Sequence, residues 1–97
     1  MATKANPRFQ AAYRHLGIAY YNAGRIRESI APFERAIELD PDDSGAHNNL
    51  GASLARLEIW DRALAHFKKA VALDPDAVAA RSNLEKALQV APGQRSR

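Results

Sequence analysis

One feature constrains this chain of 97 residues more than any other: it repeats itself. Sliding the sequence by 34 positions lays residues 10–43 on residues 44–77 with ten identities. They are Ala12/Ala46, Leu16/Leu50, Gly17/Gly51, Ala31/Ala65, Phe33/Phe67, Ala36/Ala70, Leu39/Leu73, Asp40/Asp74, Pro41/Pro75 and Asp42/Asp76. Ile30/Leu64 and Ile37/Val71 are conservative pairs, and Leu84 and Leu88 continue the register of Leu50 and Leu54. A period of this length means one supersecondary unit stacked on itself, each copy burying a face that it cannot bury alone.

Each unit reads as two helices. Tyr13, Leu16 and Tyr20 share one helical stripe, and Asn22-Ala23-Gly24 offers a stop. Ile26, Ile30, Phe33 and Ile37 form a second stripe, matched in spacing by Trp60, Leu64, Phe67 and Val71. Asp40-Pro41-Asp42-Asp43 ends that helix, because a residue before proline is driven out of the helical region, and the Asp residues or Ser44 can cap the next one. Asp74-Pro75-Asp76 repeats the device, and Ala91-Pro92-Gly93 breaks a last helix. No strand pattern occurs. The expectation is an all-α fold of about five helices, near 8–22, 26–39, 44–57, 60–73 and 78–90. Short connections make neighbours antiparallel. The domain spans 9–91, with repeat one at 10–43, repeat two at 44–77 and a capping helix at 78–90, between a flexible basic tail (1–8) and a disordered one (92–97).

Composition narrows the function classes. Twenty residues are Ala, which suits closely packed helices. Cys is absent, so neither disulfides nor thiolate metal sites can form. No apolar run reaches the ~18 residues of a membrane span, and the first ten residues lack the apolar stretch of a secretory signal, so a cytoplasmic protein is expected. The net charge is +3, but setting aside Lys4, Arg8, Arg95 and Arg97 near the ends leaves ten basic against eleven acidic residues. A nucleic-acid binder carries its basic patch on the folded face, so nucleic acid is not the expected partner.

With these residues in view, the chain resembles the tetratricopeptide repeat family, whose unit of 34 residues reads W-x2-L-G-x2-Y, then A-x3-F, then P. Repeat one gives Tyr13-x2-Leu16-Gly17-x2-Tyr20, Ser29-x3-Phe33, Ala36 and Pro41; repeat two gives His47-x2-Leu50-Gly51-x2-Leu54, Ala63-x3-Phe67, Ala70 and Pro75. The resemblance implies an α-solenoid of antiparallel helix pairs in which Gly17 and Gly51 admit the second helix closely. Four residues depart from the pattern. Pro32 lies inside a helix, so a kink or a late helix start is expected. Glu58 replaces Gly24 at the turn, which must differ or carry strain of ~1 kcal/mol. His47 replaces an aromatic ring, and Glu85 replaces the packing glycine, marking the last helix as a solvating cap. Two repeats and a cap make a short array, so a marginal or self-associating fold is expected.

Chemistry beyond binding finds little support. His15, His47 and His66 form no i, i+4 pair; His47 takes a packing position, and the other two read as surface residues. No metal set, phosphate loop or activated serine is present, so no catalysis, metal or cofactor is expected. The family resemblance instead implies a concave groove lined by the first helix of each unit, which would hold a peptide segment or partner helix. The residues facing it would be Ala11, Arg14, Ile18, Tyr21 and Asn22 from the first unit, and Asn48, Asn49, Ala52 and Arg56 from the second. Ser82 and Lys86 would come from the cap. Arg14, Arg56 and Lys86 make this set basic without an acid, so an acidic or carboxylate-ended protein segment is the expected partner. Some family members hold chaperone tails with a clamp of Lys, Asn, Asn, Lys and Arg. The corresponding Arg14, Ile18, Asn49, Ala79 and Asn83 match it too poorly for that ligand. The alternatives are a self-assembling structural unit or a fragment of a longer array.

Overall fold

The computed structural model describes residues 7–92. Five helices follow one another: α1 (Pro7–Asn22), α2 (Ile26–Leu39), α3 (Ser44–Arg56), α4 (Trp60–Leu73) and α5 (Val78–Val90). The family's all-α helical-repeat architecture is therefore present, with no strand among the described residues. One boundary differs from expectation. Helix α1 starts at Pro7, so residues 7 and 8 belong to the helix and not to a flexible tail. Proline suits a first helical position, where its missing N–H removes a donor that has no intrahelical acceptor anyway. Residues 1–6 and 93–97, expected to be tails, lie outside the described residues.

Sequence devices recur one period apart. The Asp40 and Asp74 amides each donate 2.9 Å back to Ala36 and Ala70, closing α2 and α4. Each Asp side chain then accepts at 3.2 Å from the amide two residues on, Asp42 or Asp76, which folds the chain round the proline. Asp43 caps α3 by accepting from the Ala46 amide at 3.2 Å. At the other turn, Gly24 (φ 81°) and Glu58 (φ 62°) both take the left-handed conformation. Their amide bonds correspond: Gly24 to Tyr21 and Arg25 to Tyr20, Glu58 to Ala55 and Ile59 to Leu54. The turn at Glu58 is thus conserved in shape and strained, not rebuilt. Pro32 does not delay its helix, since α2 begins at Ile26 and runs through it.

Helices pair as α1 with α2 and α3 with α4, and α2 and α4 then pack on α3 and α5. Phe33 and Phe67, 1% and 2% exposed, fill these interfaces against the two glycines. A Cβ on Gly17 would stand 2.5 Å from Phe33, and one on Gly51 2.7 Å from Phe67, so no larger residue fits without movement. The core runs through Phe33, Leu50, Leu54, Leu64, Phe67 and Ala87. Packing is closer on one side of the array: α1 meets α3 and α3 meets α5, whereas the α2 and α4 backbones stand apart. A 2.7 Å ion pair from Arg62 to Glu34 spans that wider gap. The stack therefore curves with α1, α3 and α5 on its inner side.

Candidate functional site

The inner side carries two clefts. The first, about 270 Å³, is lined by Tyr21, Ala52, Ala55, Arg56, Trp60, Phe67, Asn83, Lys86, Ala87 and Val90. The second, about 260 Å³, is lined by Ile18, Tyr21, Asn22, Phe33, Asn48, Asn49, Ala52 and Asn83. Tyr21, Ala52 and Asn83 border both, so the two form one groove crossing α1, α3 and α5. The groove collects Ile18, Tyr21, Asn22, Asn48, Asn49, Ala52, Arg56 and Lys86 from the residues named by sequence. Trp60, Phe67, Ala87 and Val90 enter its walls as well; Trp60 and Phe67 belong to the apolar stripe of α4, whose spacing assigned them to packing.

Three named residues stand elsewhere. Ala11 is half-buried on α1 outside both clefts. Ser82 lies in a separate shallow cleft with Val78, Arg81 and Glu85. Arg14 Nε lies 3.3 Å from Asp43 Oδ2, an ion pair without hydrogen-bond alignment. The same carboxylate accepts from Gln10 Nε2 at 2.6 Å and caps α3. Asp43 thus ties α1 to α3 and neutralises Arg14, leaving Arg56 and Lys86 as the cations of the groove.

Two arrangements shape that groove. Arg56 holds its guanidinium 5.6 Å from the Tyr21 ring centre, a cation–π contact that positions the charge before any ligand arrives. Asn83 Nδ2 donates to Asn48 Oδ1 at 3.0 Å, which joins α5 to α3. The pair retains one amide NH2 and one amide carbonyl, a donor and an acceptor of the kind a peptide backbone requires.

On the other face, His66 is not the surface residue expected. It is half-buried, its ring stacked on that of His47 at 5.3 Å between centres. Their Nδ1 atoms lie 3.0 Å apart, and His47 Nε2 lies 2.8 Å from the Pro41 carbonyl. A carbonyl only accepts, so His47 carries its proton on Nε2 and presents a bare Nδ1; His66 Nδ1–H is then the donor. Burial, with His47 and Arg62 nearby, holds the His66 pKa below its ordinary value against an opposing pull from Glu34. The two histidines stand 19 positions apart, a spacing that no helical register joins, and only the α3–α4 packing brings them together. Among the described residues no three His, Cys, Asp or Glu side chains converge on a metal position. No described helix is long and apolar enough to cross a membrane.

Comparison with known proteins fits this architecture. A sequence model of the tetratricopeptide repeat family matches residues 2–44 and 15–78. The small glutamine-rich tetratricopeptide repeat-containing protein 2 of Mycosarcoma maydis is 34% identical over 56 residues, 58% of this chain and 16% of that protein. The protein O-mannosyl-transferase Tmtc3 of Drosophila melanogaster is 34% identical over 53 residues, 55% of this chain and 6% of that protein. This chain thus corresponds to a small part of either relative's length. Repeats of this family generally mediate protein–protein contacts and generally carry no catalysis, although the second relative is named as a transferase. The 34-residue period, the paired helices, the two glycine–phenylalanine contacts and the family match agree: the chain belongs to the tetratricopeptide repeat family.

Proposed function

We propose that this chain is a non-catalytic binding module that holds an acidic or carboxylate-ended peptide segment in its inner groove. One observation carries the reading: the groove is continuous across three helices, lined by Arg56 and Lys86, and has no carboxylate among its lining residues. Tyr21 and the alanines supply apolar contact, and the Asn48–Asn83 pair supplies backbone-like hydrogen bonding. Binding of this kind lays a segment on a preformed surface, with charge steering the encounter. A reducing compartment such as the cytoplasm suits a chain without cysteine.

The test is fluorescence anisotropy with labelled peptides of matched length, one acidic and one basic. The acidic peptide binds, and Arg56→Glu weakens it roughly tenfold, about the 1.4 kcal/mol of one lost charge-assisted contact. Equal affinity of the parent for both peptides, or an Arg56→Glu variant that binds as the parent does, defeats the reading.

A further inference from the structure

Resting on the reading of an acidic groove ligand, we propose that Asp43 competes with that ligand: it holds Arg14 out of the groove until an incoming carboxylate takes its place. Arg14 stands one turn before Ile18 on α1, about 6 Å along the axis, in the stripe that continues through Tyr21 and Asn22. Those three line the groove, and Arg14 does not. The repeat shows what draws it away. One period later its place is taken by Asn48, which lines the second cleft and accepts from Asn83 at 3.0 Å. The equivalent neighbour of Arg14 is Asn49, a groove residue too. Arg14 turns instead to Asp43, and the residue one period after Asp43 is Ala77, which has no carboxylate to draw Asn48 aside. Helix α5 starts from Ala77 without any side-chain cap, so the array does not require an acid at this place.

The pair is of a kind that exchanges partners. Arg14 Nε lies 3.3 Å from Asp43 Oδ2 without the alignment of a hydrogen bond, and the two side chains are 31% and 19% exposed. A partly exposed, unaligned ion pair contributes little, whereas an arginine facing a carboxylate squarely forms two parallel hydrogen bonds. A carboxylate entering the second cleft beside Asn49 offers that geometry. Asp43 has other partners to keep it in place when Arg14 leaves: its side chain accepts from the Ala46 amide at 3.2 Å and from Gln10 Nε2 at 2.6 Å. Arg14 then joins Arg56 and Lys86 as a third cation, beside the first turn of α3 where Arg56 is at its last. The carboxylate left behind repels the same ligand. Asp43 thus lowers affinity twice, by occupying a cation and by opposing the charge that seeks it.

The test is a fluorescence-anisotropy titration of the full 97-residue chain with a labelled Glu-Ala repeat peptide and its amidated Gln-Ala counterpart. Asp43→Asn is the informative variant, because asparagine caps a helix as well as aspartate does and its amide can still meet Gln10. It is expected to bind the Glu-Ala peptide at least about fivefold tighter than the parent, and adding Arg14→Gln is expected to cancel that gain. Asp42→Asn makes the same change of net charge at an exposed neighbour, and its expected gain is under about twofold. The Gln-Ala peptide is expected to distinguish none of these chains. Equal gains from Asp43→Asn and Asp42→Asn, or a gain that survives Arg14→Gln, overturn the proposal and leave the acidic groove standing. A Glu-Ala peptide that binds neither the parent nor Asp43→Asn defeats the groove reading, and the competition with it. A second measurement on the parent needs no variant to fold. The Arg14 Nε–H resonance is expected to shift to saturation together with that of Arg56 as the Glu-Ala peptide is added. An Arg14 resonance that stays in place while that of Arg56 moves refutes the displacement.

Discussion

Helices α1 and α3 carry one packing register in two surroundings. Leu50 of α3 is 1% exposed under α2, whereas Leu16, its equivalent in α1, is 44% exposed. On the opposite flank the two helices behave alike: Gly17 and Gly51 each receive a phenylalanine ring too close for any added Cβ. The contrast separates what a repeat supplies by itself from what its neighbour supplies. A helix pair closes its own glycine contact, but the outer stripe of its first helix is buried only by the unit before. The same residue type therefore has different energetic weight in the two repeats.

The sharpest way to break this comparison is a matched truncation. Leu50→Ala removes a core side chain and leaves a cavity between α2 and α3, with an expected loss of about 3 kcal/mol in urea unfolding. Leu16→Ala removes an equivalent side chain from an exposed face, and the expected loss is under about 1 kcal/mol. Equal losses mean that something covers α1 in solution.

A smaller effect sharpens the comparison at the turns. Gly24 and Glu58 hold corresponding left-handed positions with corresponding bonds, but only Gly24 does so without a side-chain penalty. Glu58→Gly is expected to stabilise by roughly 1 kcal/mol and Gly24→Ala to destabilise by about the same, both read from the urea midpoint. A neutral Glu58→Gly shows that the Glu58 side chain offsets its own backbone strain.

The sequence made the architecture legible because the period fixes it. Helix ends at Asp40 and Asp74 follow from proline, the glycine–phenylalanine contacts from spacing, and the strained turn from a glutamate in a glycine's place. The groove was legible only in part. The family resemblance pointed to Tyr21, Arg56 and Lys86 through their phase on the helices, and all three line the first cleft. Phase says nothing of which charges meet across helices. Arg14 counted as a free groove cation until packing brought Asp43 within 3.3 Å of it. The His47–His66 contact was hidden for the same reason, and a residue read as solvated proved to be a half-buried donor.

That histidine pair is the last asymmetry between the repeats, since Tyr13 and Pro32 occupy the corresponding places in repeat one. His66 is held below the ordinary histidine pKa of 6.5, chiefly by burial and next by His47. The unfolded chain then binds the His66 proton more readily than the folded one, so its contribution is present above 6.5 and is lost as pH falls through the lowered folded value. Glu28, held below its ordinary carboxylate value of 4.5 by Arg25, titrates at lower pH and leaves this window undisturbed. The urea midpoint of the parent is therefore expected to fall between pH 7.5 and pH 5.5, by less than either substitution above moves it. His66→Phe keeps a ring against His47 and removes the titrating group, so its midpoint should hardly move over that interval. A parallel fall in parent and variant would show that the sensitivity lies outside His66.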